Sequence, residues 1–558
     1  MMEKVDLCIT NGNVLNVFTR SFEKNTLWIK NGKIVATGNQ FNTIQAKTII
    51  NASDKYIVPG FIDSHVHIES SLVAPSELAK VILPMGTTSI FTDPHEIANV
   101  SGVDGIKYMI EDARQTPLDV FVMLPSSVPC TPFEDNGATL KAKDLHPLYK
   151  FPEVKGLAEV MDYPAVEKRD TDIMEKINDA LNHHLQVDGH GAGMNREQLD
   201  VYRQAGISTD HECTDLQGIN DRLAEGFKVF LREGTVERDL QNTIQIVNEG
   251  NAQRFSFCTD DKFINTIIEE GGINFAIKLA IQYGVKPETA YTMASYNAAM
   301  AHKIDDLGAL STGYKADLVF INNPKAVDVN KVMKDGKFIQ ENDFETKTLN
   351  FQSNTMNHHF TKADLKLELS NDECNVIGIC PNHIETKHLI KKVPIENGEF
   401  KADLKNDVLK MVDVERHHNS GTYGLALVSG FKLNEGAVAT TVAHDSHNLL
   451  AFGTSDDAIY RAIEEVTKVG GGISVVDDEK TLATMPLKIA GLMSDKSWQK
   501  ASEDLSAITN AYKKISNDID FNPFITLSFL SLPVIPTIKL TNRGLYDFEQ
   551  QKFINIAR

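Results

Sequence analysis

The sequence predicts an α/β protein built on a (β/α)8 TIM-like barrel, with a small β domain beside the barrel and an α+β region after it. Three observations support this prediction: eight short β-rich runs alternate with helical patterns between Gly60 and Asp261, hairpin-like segments flank them, and a long mixed region follows. With 558 residues, the chain is long enough for two or three domains.

The barrel prediction rests on the order and spacing of the eight runs. They are GFIDSHVHI, TTSIFTDP, DVFVMLPSS, VKGLAEVMD, LQVDGHGAG, GISTDHECT, FKVFLREG and RFSFCTDD. Amphipathic segments such as TDIMEKINDALNHH and NREQLDVYRQAG lie between them, and they are long enough to connect parallel strands. Eight strand-helix units in this length are typical of a slightly compact (β/α)8 barrel.

The two flanks of the barrel share a sequence pattern of short strands and turns. Residues 1–58 alternate apolar and polar positions around the Asn-Gly pairs of TNGNV and KNGKI, a pattern typical of hairpins. The segment GYKADLVFINNPKAVDVNKVMKDGKFI has the same pattern of short strands and turns. We therefore expect residues 1–58 and 306–354 to form one small β-sandwich domain around a barrel of residues 59–305. Residues 355–558 are expected to form a C-terminal α+β domain, with the polar SNTMNHH as a linker before it.

Composition excludes several classes of partner. The formal charge is −20, with 76 acidic against 56 basic residues, which disfavours binding to the phosphates of nucleic acids. The sequence has neither a signal-peptide apolar segment nor an apolar run long enough to span a bilayer. Six cysteines without a disulfide-like spacing fit a reducing compartment. We expect a cytoplasmic protein that binds neither nucleic acid nor membrane.

Histidines and carboxylates stand where the predicted strands end. His65 and His67 are two residues apart in GFIDSHVHIES, so their rings point to the same side of a strand. A single His-x-His pair at a strand end is most often structural. Later runs end in the same kinds of side chain, namely Glu159, His190, His211 and Asp260. Because the carboxyl ends of barrel strands face a common site, we expect all six to converge.

This donor set predicts a binuclear metal site. Imidazole nitrogen and carboxylate oxygen suit zinc, manganese or ferrous iron, and two ions that share Glu159 as a bridge would use all six groups. Asp260 could bind metal and also accept a proton from a bound water, whose pKa falls toward ~7 on such a cation. That water would be the nucleophile.

The chain resembles the amidohydrolase superfamily and, within it, the bacterial adenine deaminases. The resemblance is carried in order by PGFIDSHVHIESS, FTDPHEIANV, GLAEVMDYP, VDGHGAG, STDHECT, LREGT and FCTDD, and it extends through GYKADLV, HHNSGTYGLALVSGF and VAHDSHNLL. It implies two divalent ions, with Mn²⁺ expected first and Fe²⁺ or Zn²⁺ as alternatives, held by the same six residues. It also implies hydrolysis of adenine to hypoxanthine and ammonia by a metal-activated hydroxide, in purine salvage, by a homodimer.

Further site residues follow from placing a purine beside these metals. Asp260 is expected to move protons in catalysis, and Glu96 of DPHE is the candidate donor to a ring nitrogen. The expected substrate-binding residues are Asp93, Arg232, His444 and Asp445. Each has an alternative interpretation: DPHE as a capped turn, Arg232 as the partner of an acidic neighbour, and VAHDSHNLL as a polar surface turn.

The chain also departs from the family pattern, and two other functions remain open. EEGGINF has Gly272 where the resemblance leads us to expect a histidine, which puts rate or substrate preference in doubt. The alternatives are a cyclic amide hydrolase of the same superfamily and a catalytically inactive metal-binding homologue. The loss of activity usually removes at least one ligand, and here all six are present.

Overall fold

Residues before the barrel form five strands of a mixed sheet in the computed structural model, which describes residues 3–349, 351 and 356–558. The strands are β1 Glu3–Asn16, β2 Ser21–Lys30, β3 Lys33–Thr37, β4 Ile44–Asn51 and β5 Tyr56–Pro59. KNGKI is the β2–β3 turn, as predicted. TNGNV is not a turn: Asn11 and Gly12 lie at a bulge within β1, where Gly12 packs so closely on Ile57 that a Cβ would lie 2.5 Å from its Cδ1.

The eight predicted runs form the eight parallel strands of the barrel. They are β6 Phe61–Val66, β7 Thr87–Thr92, β8 Asp119–Leu124, β9 Val154–Val160, β10 Gln186–Gly189, β11 Thr209–Asp210, β12 Lys228–Arg232 and β13 Phe255–Cys258. Each pairs with the next in chain order. The barrel closes where the Asp260 amide donates to the His65 carbonyl (3.0 Å) and the His67 amide donates to the Asp260 carbonyl (3.2 Å).

Twelve α-helices accompany these strands in the described part of the barrel. They are α1 Pro75–Ile82, α2 His95–Ala113, α3 Ala142–Leu145, α4 Tyr163–Glu167, α5 Thr171–Asn182, α6 Arg196–Ala205, α7 Leu216–Ala224, α8 Leu240–Thr243, α9 Ile264–Glu270, α10 Ile273–Gln282, α11 Pro287–Thr292 and α12 Ala298–Ala301. The two predicted amphipathic segments are α5 and α6. Helix α6 starts at a capping box of Asn195 and Gln198 and buries Leu199 and Tyr202, so its apolar face packs on the barrel.

The chain returns to the first sheet after the barrel. Strands β14 Leu318–Ile321, β15 Val329–Lys334 and β16 Lys337–Phe338 extend it, because β14 pairs antiparallel with β5. Both flanks therefore contribute strands to one eight-stranded sheet with a shared core. The proposed domain boundaries stay predictions, and the boundary between residues 354 and 355 lies outside the described residues.

The C-terminal region is an α+β unit, as predicted. Its strands are β17 Glu373–Ile379, β18 Thr386–Lys392, β19 Ile395–Glu396, β20 Glu399–Phe400, β21 Leu409–Val414, β22 Tyr423–Ser429, β23 Ala437–Thr440, β24 Leu449–Gly453, β25 Gly472–Val476, β26 Thr481–Pro486, β27 Ile538–Thr541, β28 Gly544–Asp547 and β29 Lys552–Phe553. Its helices are α13 Asp456–Val469, α14 Trp498–Ile515 and α15 Pro523–Ser528. Eight of the strands form one sheet in the order β18-β17-β22-β21-β24-β23-β25-β26.

The C-terminal region packs directly on the barrel. Ile68 and Phe263 of the barrel share one buried apolar cluster with Phe431 and Phe529. Hydrogen bonds cross the same boundary, including one from the Trp498 amide to Glu77 at 2.9 Å. This apolar contact holds the C-terminal region over the strand ends. Among the described residues, no helix has the length and apolar character needed to cross a bilayer.

Candidate metal centre and active site

The structure brings the six predicted donors together at the carboxyl ends of the barrel strands. Each is at most 8% exposed; they are His65, His67, Glu159, His190, His211 and Asp260. His65 lies near the end of β6, and the others lie within two residues of a strand end. The hydrogen bonds between the parallel strands therefore fix the position of each donor along the barrel axis. The predicted convergence is therefore what the structure shows.

The first group of donors comes from the two strands that close the barrel. The Nε2 atoms of His65 and His67 lie 3.1 Å apart. Oδ1 of Asp260 lies 3.2 Å from Nε2 of His67 and 3.6 Å from Nε2 of His65. The main-chain bonds that close the barrel connect these same three residues, so the fold itself holds the three donor atoms in place.

Glu159 lies between this group and a second one. Its Oε2 is 2.7 Å from Nδ1 of His190 and 3.2 Å from Nε2 of His211, while its Oε1 is 3.5 Å from Nε2 of His67. The second group consists of His190 and His211. Burial alone would raise the pKa of Glu159, but these two imidazoles hold that pKa well below its usual range. An ionised carboxylate thus faces both groups.

The donor atoms fit divalent cations. Close sets of possible ligand atoms include His65, His67 and Asp260, and also His65, Glu159 and His211. Two imidazole nitrogens at 3.1 Å cannot both carry a proton toward each other, so a cation or a shared proton must separate them. His190 Nε2 has no hydrogen-bond partner among the described residues, although it is buried. Nitrogen and oxygen donors of this kind suit divalent first-row metals.

Arg232 lies behind Asp260. Its Nη1 is 2.8 Å from Asp260 Oδ2, and the same guanidinium contacts Glu212 and, at 2.9 Å, Asp239. Burial raises the pKa of Asp260, but the hydrogen bond with His67 and the charge of Arg232 together hold it well below its usual range. Arg232 therefore pairs with acidic neighbours, the alternative that the sequence left open, and a contact with substrate stays a prediction.

The DPHE segment lies beside Glu159, on the side of its Oε1 atom. Asp93 follows β7 directly and its Oδ2 is 3.0 Å from Nδ1 of His95, the first residue of α2. The His95 Nδ1 atom is also 3.5 Å from Glu159 Oε1. These residues form another close donor set with His67. DPHE thus begins a helix and also points two side chains into the site.

Glu96 is a buried carboxyl group beside other carboxyl groups. Ser70 donates to its Oε1 at 2.8 Å and also hydrogen-bonds to Asp261. Burial, together with the charges of Glu69 and Asp261, raises the pKa of Glu96 well above its usual range. Glu96 Oε2 has no partner within the described chain. This environment therefore favours the acid form of Glu96, which can donate a hydrogen bond or a proton.

The C-terminal region reaches the site through the loop between β23 and β24. Asp445 Oδ1 lies 3.5 Å from Nε2 of His95, and His444 Nδ1 lies 3.7 Å from Glu96 Oε1. Both side chains are at most 3% exposed, and the His444 ring stacks on Phe529 at 4.5 Å. This loop is not a surface turn, because it is buried against the DPHE segment.

Sequence reasoning assigned no role to three residues of the site. His95 adds an imidazole to the first group, Glu212 lies 3.7 Å from Nε2 of His211, and Asp188 lies 3.2 Å from Nδ1 of His65. Asp188 could have been found, since it is two residues before His190 and so shares its side of β10. At Gly272, a Cβ atom would meet nothing within 4 Å, so the missing histidine leaves open space.

An eight-stranded parallel barrel with imidazoles and carboxylates at its carboxyl ends fits a hydrolase of the amidohydrolase class. The amidohydrolase family model matches residues 56–339, and the adenine deaminase C-terminal domain model matches residues 383–552. The chain is 54% identical to an adenine deaminase of Lactiplantibacillus plantarum, over 100% of this chain and 98% of that protein. For adenine deaminase 1 of Oenococcus oeni the identity is 49%, over 100% of both chains.

The chain belongs to the adenine deaminase family of the amidohydrolases, and it is an enzyme of the hydrolytic deaminase class. A third relative, an adenine deaminase of Listeria welshimeri, is 51% identical over 98% of this chain and 95% of that protein. Among solved structures, a β-aspartyl dipeptidase of Fervidobacterium islandicum matches 63% of this chain and 100% of its own at 16% identity. Its TM-score is 0.46, a likeness too low to inform the site.

Proposed function

We propose that the protein hydrolyses adenine to hypoxanthine and ammonia in purine salvage. The observation that supports this most is the Glu159 carboxylate, which faces two groups of imidazoles in a chain of the adenine deaminase family. Three further features support it: a set of nitrogen and oxygen donors that could hold metal, an Asp260 carboxylate whose pKa is lowered, and a Glu96 carboxyl group whose pKa is raised. A hydrolytic deamination needs a metal-activated water, a proton acceptor and a proton donor of these kinds.

We propose two divalent cations per chain, with Mn²⁺ first and Fe²⁺ or Zn²⁺ as alternatives. His65, His67 and Asp260 would hold one ion. His190 and His211 would hold the other, and Glu159 would bridge the two. When bound, such cations supply a water molecule whose pKa is lowered enough to make it a nucleophile at neutral pH.

Asp260 is proposed to move the proton of that water. Its Oδ2 is anchored by Arg232, so Oδ1 stays directed toward the two imidazoles of the first group. An ionised carboxylate there can accept a proton and then deliver it to the amine that leaves C6 of the purine. Arg232 would then keep the Asp260 carboxylate in position as the proton acceptor. It also remains a candidate for contact with the substrate.

Glu96 is proposed to protonate a ring nitrogen during the attack, because negative charge would otherwise build up on the ring. Asp93 lies on the same side and is proposed to bind the purine. His444 and Asp445 of the C-terminal loop complete this side, and their burial keeps bulk water away from the reacting atoms.

A cytoplasmic location and a homodimer also stay proposals. The six cysteines, all within the described residues, are free, which suits a reducing compartment. The dimer rests on the family resemblance alone.

Incubation of the manganese-loaded protein with a panel of purines, pyrimidines and cyclic amides tests the function. Ammonia release and ultraviolet change are followed together. We expect ammonia and hypoxanthine from adenine, and little from adenosine, because the site is closed by the C-terminal loop. Ring opening of a cyclic amide without ammonia would favour an amide hydrolase, and no turnover of any compound would favour an inactive homologue.

A further inference from the structure

A buried carboxylate lies behind the imidazoles of the candidate metal centre, on the side away from the converging Nε2 atoms. Asp188 in β10 is 1% exposed. Its Oδ2 lies 3.2 Å from Nδ1 of His65 and 3.8 Å from Nδ1 of His211. Those two rings stack with their centroids 3.9 Å apart. A single carboxylate oxygen therefore faces both stacked imidazoles.

The other oxygen of Asp188 is fixed by the barrel. Oδ1 accepts hydrogen bonds from the Thr209 hydroxyl at 2.5 Å and from the Gly189 amide at 2.9 Å. Two donors on the same oxygen set the plane of the carboxylate. The carboxylate therefore cannot rotate freely, and its Oδ2 atom stays directed toward the imidazoles.

An imidazole that binds a cation through Nε2 must carry its proton on Nδ1. A carboxylate that accepts this Nδ1 proton fixes the tautomer and the ring orientation, and it makes Nε2 a better ligand. His67 is held differently, because its Nδ1 lies 3.0 Å from the main-chain carbonyl of Asp93. For His65 this acceptor is Asp188, at 3.2 Å. Nδ1 of His211 is buried, lies 3.8 Å from the same oxygen and has no hydrogen-bond partner among the described residues, so Asp188 places its charge behind that ring without a hydrogen bond.

We propose that Asp188 is a positioning residue that orients His65 at one proposed metal site and places its negative charge behind His211 at the other, so that its loss weakens both sites together. The inference rests on the proposed two-metal centre, in which His65 and His211 belong to different ions. Asp188 faces the Nδ1 atoms of the rings and not the converging Nε2 atoms, so it is not itself proposed as a metal ligand or a substrate contact.

The test uses the full-length Asp188→Asn variant, which keeps the size of the side chain and removes its charge. Apoprotein is equilibrated with Mn²⁺ at graded free concentrations, and bound Mn²⁺ per chain is measured. We expect two ions in the unchanged protein, and both affinities to be about 10- to 100-fold weaker in Asp188→Asn. At saturating Mn²⁺, kcat should be lower and KM for adenine unchanged, because Asp188 does not contact the base.

The matched control is Asp119→Asn, which removes the charge of a barrel carboxylate bound by Lys315 and Lys334 away from the centre. It should bind two ions with unchanged affinity. Unchanged affinities in Asp188→Asn, loss of one ion only, or a raised KM would overturn the inference. Fewer than two ions in the unchanged protein would instead contradict the proposed centre itself.

A second variant decides the matter if Asp188→Asn does not fold. Thr209→Val keeps the carboxylate but removes the hydroxyl that fixes its plane. We expect a smaller loss of affinity at both sites. Equal affinities in Thr209→Val and the unchanged protein would then overturn the inference.

Discussion

The barrel side and the C-terminal side of the site are built in different ways. The donors on the barrel side lie at strand ends, where parallel main-chain pairing fixes each position. His444 and Asp445 come instead from one loop, held by long-range contacts such as that from Asn448 to the Asp135 carbonyl, 313 residues away. The difference fits the proposed roles, in which the barrel side would hold the metals and move protons, while the C-terminal side would close the site and help to bind the purine.

The strongest test of the barrel side is Asp260→Asn. We expect kcat to fall by roughly 100-fold or more, because the variant removes a proton acceptor of general-base catalysis. Metal content and turnover of adenine are measured together. Asp261→Asn is the neighbouring comparison and should cost less. If Asp260→Asn turned over adenine at a near-native rate with metal bound, the base would have to be another residue.

Glu96→Gln is expected to lower kcat by about 10- to 100-fold, because it removes the proposed ring-nitrogen donor. Burial raises the pKa of Glu96 well above its usual range and so favours its acid form. The activity of the unchanged protein should therefore fall as pH rises through that pKa. The glutamine variant cannot titrate, so its pH–rate profile should lack this alkaline decline. An identical decline in both proteins would assign it to another group.

His444→Ala tests the C-terminal side. We expect KM for adenine to rise about tenfold, which corresponds to the loss of roughly 1.4 kcal/mol of binding, with bound metal unchanged. His358→Ala is the control, since that imidazole bonds to Thr467 within the C-terminal region. Loss of metal in His444→Ala would show that the two sides are not separate in function.

Asp135→Asn should have the smallest effect. Asp135 joins the two regions through Arg543 at 2.6 Å, at a partly exposed site, so its loss should cost at most about 1 kcal/mol of the free energy of unfolding. Its hydrogen bond with Arg543 lowers the pKa of Asp135. The contribution is therefore present above the usual range for aspartate and is lost as pH falls through the lowered pKa. Thermal melting of both proteins at neutral and acid pH measures the difference; a large loss would show that this contact, and not the apolar core, holds the regions together.

The same contrast explains what the sequence could predict. His65 and His67 lie on one strand, and their spacing alone places both rings on one side. Barrel geometry then brings in Glu159 and Asp260, because strand ends meet at a common rim. The His444 contact with Glu96 has no local pattern, since it depends on how the C-terminal region packs on the barrel. DPHE was expected at the site through Asp93 and Glu96, but His95 was given no role, because the sequence of a helix start does not show which of its side chains face the metals.

Titration of the metal-free protein with Mn²⁺ tests the central claim most directly. Bound Mn²⁺ and the formation of hypoxanthine and ammonia from adenine are followed in the same samples. We predict that activity rises with bound metal and reaches its plateau at two equivalents per chain, because Glu159 joins two donor groups. Full activity at one equivalent, or hypoxanthine formation without metal, would contradict the account.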